Sequence, residues 1–425
     1  MTSNIYKQMS TRFKIDRVSG EVSAPPSKSS MQRAIAAALL AEGRSILHNP
    51  SYCDDSLAAL AMARSLGARI TEYPEKIEIE GGLAPVNSSL NCGESGLGIR
   101  MFSAIVASYP GTITIDGKGS LKTRPIKMIE EPLNSLGAKV ITSNGLLPVE
   151  ITGPIRGGRV AVDGSQSSQF LTGLLFALPM AENDSIIEVS NPVSKPYIDL
   201  TISVLTQFGI EVEHHDYTLF RIKGKQKYSA SEYSVEGDWS GAAFFLAMAA
   251  KGGRISVKNL NMSSNQADRK IIDVLRLVGS HVYTENNSVT VEKDKLHPFI
   301  FDISDCPDLA PPLAILASAC NGTSIIKGAD RLLIKESSRG DNLVRNLSAM
   351  GARISMADGE IEIAGGSRLH HELVKSYGDH RMAMAMASAA ILSDGGVSVD
   401  NIDCINKSYP EFASDYQVVG GEIFI

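Results

Sequence analysis

The chain has 425 residues, 43% hydrophobic and 21% charged, with 37 glycines and a net charge of −6. That balance is an ordinary globular one, long enough for two or three domains, and it offers no basic field for nucleic acid or an acidic membrane. Five widely spaced cysteines (Cys53, Cys92, Cys306, Cys320 and Cys404) with no Cys-x-x-Cys speak against a disulfide frame or zinc site and for a reducing compartment.

The chain opens Met1-Thr2-Ser3-Asn4-Ile5-Tyr6-Lys7, without the apolar core of a signal peptide. Apolar runs such as 170–181 and 244–250 are too short or too interrupted to span a bilayer. A cytoplasmic enzyme or binding protein is expected. The first stretch with a clear design is Ser23-Ala24-Pro25-Pro26-Ser27-Lys28-Ser29-Ser30-Met31-Gln32-Arg33. The prolines forbid helix before them, and Ser27 is a good N-cap. Met31, Ala34, Ile35, Ala38 and Leu39 then recur at helical spacing. Lys28, Ser29 and Arg33 therefore lie in the first turns, beside free backbone N–H groups that suit a phosphate or carboxylate. For one such segment a capped surface helix is the plainer reading. The same device, however, recurs along the chain.

A helix-ending phrase, apolar-Gly-x-x-apolar, appears at Gly67, Gly137, Gly209, Gly279, Gly351 and, more weakly, Gly420, at spacings of 70, 72, 70, 72 and 69 residues. Glycine in that position is the left-handed cap that stops a helix before a strand. On the same beat, small-residue-rich helices begin near Lys28, Gly96, Ser167, Asp238, Pro307 and Asp379, and short β-branched strands such as 112–115 and 254–257 follow them. Each repeat thus reads strand, helix, strand, helix, strand, strand. The first helix of each is apolar nearly all round, as in 242–250 and 382–391, and such helices are buried on all sides. Six repeats predict an α/β fold with helices packed inside a wrapping of sheets. The polar segment 223–236 is the best domain boundary, with three repeats on each side.

The helix starts carry the chemistry. The first helices open with Lys28, Ser29 and Arg33; Gly96 and Arg100; Ser167, Ser168 and Gln169; Asp238; Asp308; and Asp379, His380 and Arg381. The second helices are expected to open with Lys122 and Arg124; Ser194 and Tyr197; Lys335, Glu336 and Arg339; and Lys407. Cations oppose the dipole at a helix start, so their recurrence points to an anion that both hold. Arg suits a bidentate grip on phosphate or carboxylate, and Lys supplies a point charge. Singly, several have bland readings: Ser167-Ser168-Gln169 as plain capping, Asp308 as a bare N-cap, Lys335-Glu336 as a solvated pair, Asp379-His380-Arg381 as a capped surface pair. Trp239 and the methionines of Met382-Ala383-Met384-Ala385-Met386 read as packing. There is no Walker loop, dinucleotide glycine fingerprint or His-Glu-x-x-His.

Ser27-Lys28-Ser29 with Arg33, Arg124-Pro125, Ser167-Ser168-Gln169-Phe170-Leu171-Thr172, Ser194-Lys195-Pro196-Tyr197-Ile198-Asp199 and Glu236-Gly237-Asp238, with Lys335-Glu336, Arg339, Asp379-His380-Arg381-Met382-Ala383-Met384 and Lys407-Ser408-Tyr409-Pro410, run in order along the chain. Together they resemble the EPSP synthase (3-phosphoshikimate 1-carboxyvinyltransferase) family of enolpyruvyl transferases. The resemblance implies an inside-out α/β barrel of two domains with three βαβαββ repeats each. One domain would comprise 1–25 and 237–425, the other 26–236, with the active site in the cleft between them. It implies transfer of the enolpyruvyl group of phosphoenolpyruvate to the 5-hydroxyl of shikimate 3-phosphate with release of phosphate, in the shikimate pathway to chorismate and the aromatic amino acids. No metal or organic cofactor is implied, nor a nucleic-acid or membrane partner, and a monomer is expected.

By matching positions, Lys28, Gly96, Arg124, Gln169, Arg339, Arg381 and Lys407 resemble the phosphoenolpyruvate set. Ser29, Arg33, Ser167, Ser168, Ser194, Tyr197 and Lys335, with Lys28, Gln169 and Asp308, resemble the shikimate 3-phosphate set. Lys28, Asp308, Glu336 and His380 form the implied catalytic set. Asp308 would take the proton of the attacking hydroxyl, Glu336 would protonate the methylene carbon, and Lys28 would assist phosphate departure. Departures are the loop Glu94-Ser95-Gly96-Leu97-Gly98-Ile99-Arg100-Met101, where many members have Asn-Ala-Gly-Thr-Ala-Met-Arg-Pro; Arg331 in place of a frequent Asn; and Ser337-Ser338 in place of a frequent Thr-Asp. One rival is UDP-N-acetylglucosamine 1-carboxyvinyltransferase. It normally bears a reactive Cys before the arginine, and the segment 116–124 here has none. The other is a non-catalytic relative that binds a phosphometabolite. Keeping both Asp308 and Glu336 argues against it.

Overall fold

The computed structural model describes residues 10–165 and 167–425; the opening residues 1–7 read above lie outside them. All six repeat glycines adopt the left-handed conformation that the helix-ending phrase requires, with φ between 81° at Gly209 and 107° at Gly67. The chain divides into two compact units. One comprises Pro26–Glu236 with Ser264–Ala267, and the other takes in Gly237–Ser263, Asp268–Ile425 and the N-terminal stretch up to Pro25.

In the unit built on Pro26–Glu236, each repeat forms one four-stranded sheet. Its third repeat orders Gly158–Asp163, Ser185–Ser190, Leu219–Ile222 and Glu213–His215 across the sheet. The first pair is parallel and the others antiparallel. Ser89–Asn91, Thr112–Asp116, Leu146–Thr152 and Lys139–Ser143 repeat the plan. In the first repeat the leading strand comes from the far end of the segment: Glu232–Ser234 pairs in parallel with Arg44–His48. Helices Lys28–Leu40, Gly96–Val106 and Gln169–Ala177 fill the interior, and every residue of Gly96–Val106 is buried. Gly173 permits the close approach of two of them, since a Cβ there would lie 2.8 Å from the carbonyl oxygen of Arg100. Each fully buried Leu, Ile or Phe contributes about 1.5–3 kcal/mol, so these helices hold the sheets around them.

The second unit follows the same plan with two borrowed strands. Val18–Ser23 pairs in parallel with Gly253–Lys258 and so leads the fourth repeat. Thr11–Lys14 lies between Val397–Val399 and Glu422–Phe424, taking the last strand position of the sixth. Helices Trp239–Gly252, Ala310–Ala319 and His380–Ala389 pack on one another, and Met382, Met384 and Met386 are fully buried among them as packing residues. Trp239 also packs, donating Nε1–H to the carbonyl of Asn261 at 3.3 Å.

The second helices begin later than the cations suggest. Lys122 lies in a 3-10 turn, Gly119–Thr123, and the helix starts only at Glu130. Pro125 disfavours helix at Arg124, whose ψ is 131°. Lys335 and Glu336 precede the helix Arg339–Ala349 in a loop, and Lys407 ends the 3-10 turn Asp403–Lys407 ahead of Phe412–Val418. Of the expected openers, Arg339 begins its helix, Arg339–Ala349, and Ser194 and Tyr197 sit at the start of Lys195–Gln207.

Candidate active site

In the unit built on Pro26–Glu236, Ser27 caps the helix Lys28–Leu40 by accepting from the backbone N–H of Ser30 at 3.3 Å. This cap sets Lys28 in the first turn, where Nζ pairs with Asp55 Oδ2 at 3.1 Å in a nearly closed environment. One turn on, buried Arg33 donates Nε–H to Thr201 Oγ1 at 2.9 Å and Nη1–H to the carbonyl of Ser29 at 2.8 Å. Its Nη2 lies 3.4 Å from the carbonyl of Tyr197. Burial lowers the Arg33 pKa to about 10, with Tyr197 and Tyr233 partly opposing. Thr201 in turn meets Thr172 at 3.1 Å, so Ser29, Arg33, Tyr197 and the helix behind Ser168 form one network. Ser194 is buried with φ 54°, a left-handed conformation that a Ser adopts only where its surroundings hold it.

A second group surrounds Gly96. Ser95 caps that helix by accepting from Gly98 N–H at 2.9 Å, and Ser120 donates to Glu94 at 3.1 Å, so the altered loop is well anchored. A Cβ on Gly96 would lie 2.8 Å from Arg124 Nη1 and 3.2 Å from Arg100 Nη1, so the bare glycine leaves both guanidinium groups room. Arg100 donates to Gln169 Oε1 at 3.2 Å and to the carbonyls of Gly96 and Pro125, both at 3.1 Å. Gln169 N–H is capped by Ser167 Oγ at 3.1 Å. Here the capping reading of Ser167 holds.

In the other unit, Arg339 is the centre. It is fully buried and gathers three carboxylates: Asp379 Oδ2 on Nε at 2.7 Å, Asp308 Oδ1 on Nη1 at 2.6 Å and Glu336 Oε2 on Nη2 at 2.5 Å. Asp308 Oδ2 also accepts from Arg381 Nη2 at 2.9 Å. Asp379 caps His380–Ala389 through the backbone N–H of Arg381 at 3.0 Å, and Ser337 donates to it at 3.1 Å. Buried His380 lies with Nδ1 3.7 Å from Asp379 Oδ1. Asp379-His380-Arg381 is therefore a buried part of the charge cluster and no surface pair. Burial pushes Asp308 upward, but Arg381, Arg339 and Lys335 outweigh it and hold its carboxyl well below the usual range. With its side chain 22% exposed, Asp308 remains reachable. Burial lowers Lys335 to about 8, opposed by Asp308 and reinforced by Arg331 and Arg339. Arg331, the departure, donates Nη1–H to the carbonyl of Ser304. Lys407 is buried beside the turn that carries Tyr409.

Two acids join this machinery that the sequence reading passed over. Asp55 sits in the first turn of Asp54–Ser65, where an acid is what the helix dipole favours on its own. Asp268 lies in a short turn, Ala267–Lys270, with no motif around it, yet it is fully buried and accepts a hydrogen bond from Ser240. Among the described residues, no group of three or more His, Cys, Asp or Glu could hold a metal ion, and no helix is long and apolar enough to cross a membrane.

The fold is similar to that of an EPSP synthase from Acinetobacter baumannii. That structure superposes with a TM-score of 0.84 over 98% of this chain and all of that one, at 24% identity. Similarity at the level of sequence is closer. A 3-phosphoshikimate 1-carboxyvinyltransferase of Methanocorpusculum labreanum is 39% identical, over 96% of this chain and 97% of that one, and one of Clostridium novyi is 37% identical, over 96% of each. The family model for EPSP synthase (3-phosphoshikimate 1-carboxyvinyltransferase) matches residues 13–415, and the chain belongs to that family of enzymes.

Proposed function

We propose that the protein transfers the enolpyruvyl group of phosphoenolpyruvate to the 5-hydroxyl of shikimate 3-phosphate and releases phosphate, by addition followed by elimination. The observation that carries this reading is the placement of two carboxylates, Asp308 and Glu336, on one buried guanidinium, that of Arg339. Binding an anion needs the arginine but neither acid. Adding a hydroxyl across a C=C bond needs a base and an acid held close together. Asp308, kept ionised by Arg381 and Arg339, accepts the hydroxyl proton as the oxygen bonds to C2 of phosphoenolpyruvate. Glu336 delivers a proton to the methylene carbon. In the elimination Glu336 takes a methyl proton back, the C–O bond to phosphate breaks, and Lys28 steadies the leaving group.

Lys28, Gly96, Arg124, Gln169, Arg339, Arg381 and Lys407 hold phosphoenolpyruvate in this scheme. Shikimate 3-phosphate is held by Ser29, Arg33, Ser167, Ser168, Ser194, Tyr197 and Lys335, with Lys28, Gln169 and Asp308. His380, buried against Asp379, supports the cluster from within. The addition intermediate keeps both phosphates and the carboxylate, so fixed cations lower the cost of its charge without reorganising. The reading extends to a monomeric cytoplasmic enzyme working without a resident cofactor. Phosphate release from phosphoenolpyruvate tests it: release is expected only when shikimate 3-phosphate is present. Equal or greater release with UDP-N-acetylglucosamine, or none with either acceptor, overturns it.

A further inference from the structure

Asp268 is a fully buried carboxylate to which neither the family resemblance nor the proposed mechanism gives work. Its Oδ2 accepts from Ser240 Oγ, in the first turn of Trp239–Gly252. Its Oδ1 is buried without a hydrogen-bond partner, and so is Nε of Arg381. A carboxylate anion with one oxygen unsatisfied is costly to bury, so this geometry favours the protonated acid.

The neighbouring charges act in the same direction. Burial and then the negative charge of Asp308 push Asp268 up to about 7, with Asp238 adding to them, while Arg381 and the Ser240 hydrogen bond pull the other way. The Cys306 thiol also feels Asp268 and is itself driven upward, chiefly by burial. On its own turn, Lys270 is exposed and paired with Asp273 at 3.1 Å, and Arg269 donates to the carbonyl of Met262 at 2.9 Å. Neither cation is committed to Asp268.

We propose that Asp268 is a positioning residue of this site, a buried carboxyl group whose protonation state sets the charge that the Asp308–Arg381 pair presents to an anionic substrate. Protonated, it leaves the charge of Arg381 available to an incoming anion. Ionised, it offsets that charge and competes for the guanidinium. Grip on the anionic donor therefore weakens as pH rises through neutrality. Only the identity of that donor rests on the proposed function.

The test has a ligand-free arm and a kinetic arm, both on the full chain. Difference infrared spectra between pH 6 and pH 8.5 are expected to show a protonated-carboxyl C=O band that disappears as pH rises and is missing in Asp268→Asn. Ser240→Ala removes a hydrogen bond that favours the ionised form and moves the midpoint upward. In the kinetic arm, the KM for phosphoenolpyruvate in the unaltered protein rises about three- to tenfold between pH 6 and 8.5, with kcat changing less. In Asp268→Asn that KM is flat. No titrating band, a band retained in Asp268→Asn, or the same rise of KM in that variant overturns the inference. Absence of turnover with either acceptor overturns the proposed function instead, and the infrared arm still decides the charge of Asp268.

Discussion

Asp308 is shared by two arginines: one carboxylate oxygen lies 2.6 Å from Arg339 Nη1 and the other 2.9 Å from Arg381 Nη2. The proposed base thus pairs with two of the cations proposed to hold phosphoenolpyruvate. On the proposed mechanism, phosphoenolpyruvate competes with that carboxylate for both guanidinium groups, and its release frees the carboxylate for the hydroxyl proton. Asp308→Ala is expected to keep or improve phosphoenolpyruvate affinity while turnover falls by about 10²–10⁴-fold. Calorimetric binding beside steady-state rates checks this; near-normal turnover removes Asp308 from its role.

Glu336 sits on the same guanidinium at 2.5 Å, and the proposed mechanism gives it a different task. Glu336→Gln preserves the size and the contact and removes the transferable proton. Both substrates should still bind, with turnover again lower by about 10²–10⁴-fold. Exchange of the methylene protons of phosphoenolpyruvate with solvent deuterium should fall in parallel. Preserved exchange assigns that proton to another group.

Arg339 and Asp379 are both fully buried. Arg339→Ala leaves Asp379 as an uncompensated buried charge, a change that costs about 3–5 kcal/mol. Arg339→Lys cannot reproduce the fork that meets three carboxylates at once. Urea unfolding should show both variants destabilised, the Ala variant more. An Ala variant as stable as the parent shows that the cluster contributes little to folding.

The pH dependence of stability separates Asp268 from Asp308. Asp268 is raised from an unfolded value of 3.8 to about 7 in the folded chain. Its contribution is fully present below pH 4 and is lost as pH rises through 7. Asp308 is depressed, so its contribution is present above pH 4 and lost as pH falls toward its folded value. Asp268→Asn should therefore gain stability relative to the parent between pH 4 and 8, by roughly 2–4 kcal/mol. A difference in unfolding free energy that does not vary with pH argues against a buried titrating acid.

The repeat was legible in the sequence because a left-handed helix cap has almost no substitute for glycine, and all six marked glycines adopt it. The first helices were legible because burial on every side demands an apolar sequence on every side, as in Ala310–Ala319. The later start of the second helices was less so, since Lys122 and Arg124 share a cationic pattern with true helix starts and only Pro125 signals the delay. Asp55 looked like an acid placed for a helix dipole, and Asp268 stood in a turn without a motif. Their partners, Lys28 and the Arg381 cluster, are set by tertiary packing that no local pattern encodes. The pairing of Glu232–Ser234 with Arg44–His48 is likewise invisible locally, because three extended residues suit many neighbours.

Thr11–Lys14, between Val397–Val399 and Glu422–Phe424, bears on how the chain is made. Strands synthesised among the first find their partners among the last. While the ribosome is still translating, Pro26–Glu236 contains nearly all the strands and helices of its own unit. The N-terminal strands before it have no sheet to join until the remaining repeats emerge. Exposed strand edges that wait are prone to wrong pairing. Assembly is therefore expected to begin with Pro26–Glu236, and Thr11–Lys14 to join its sheet only once Val397–Val399 and Glu422–Phe424 have emerged.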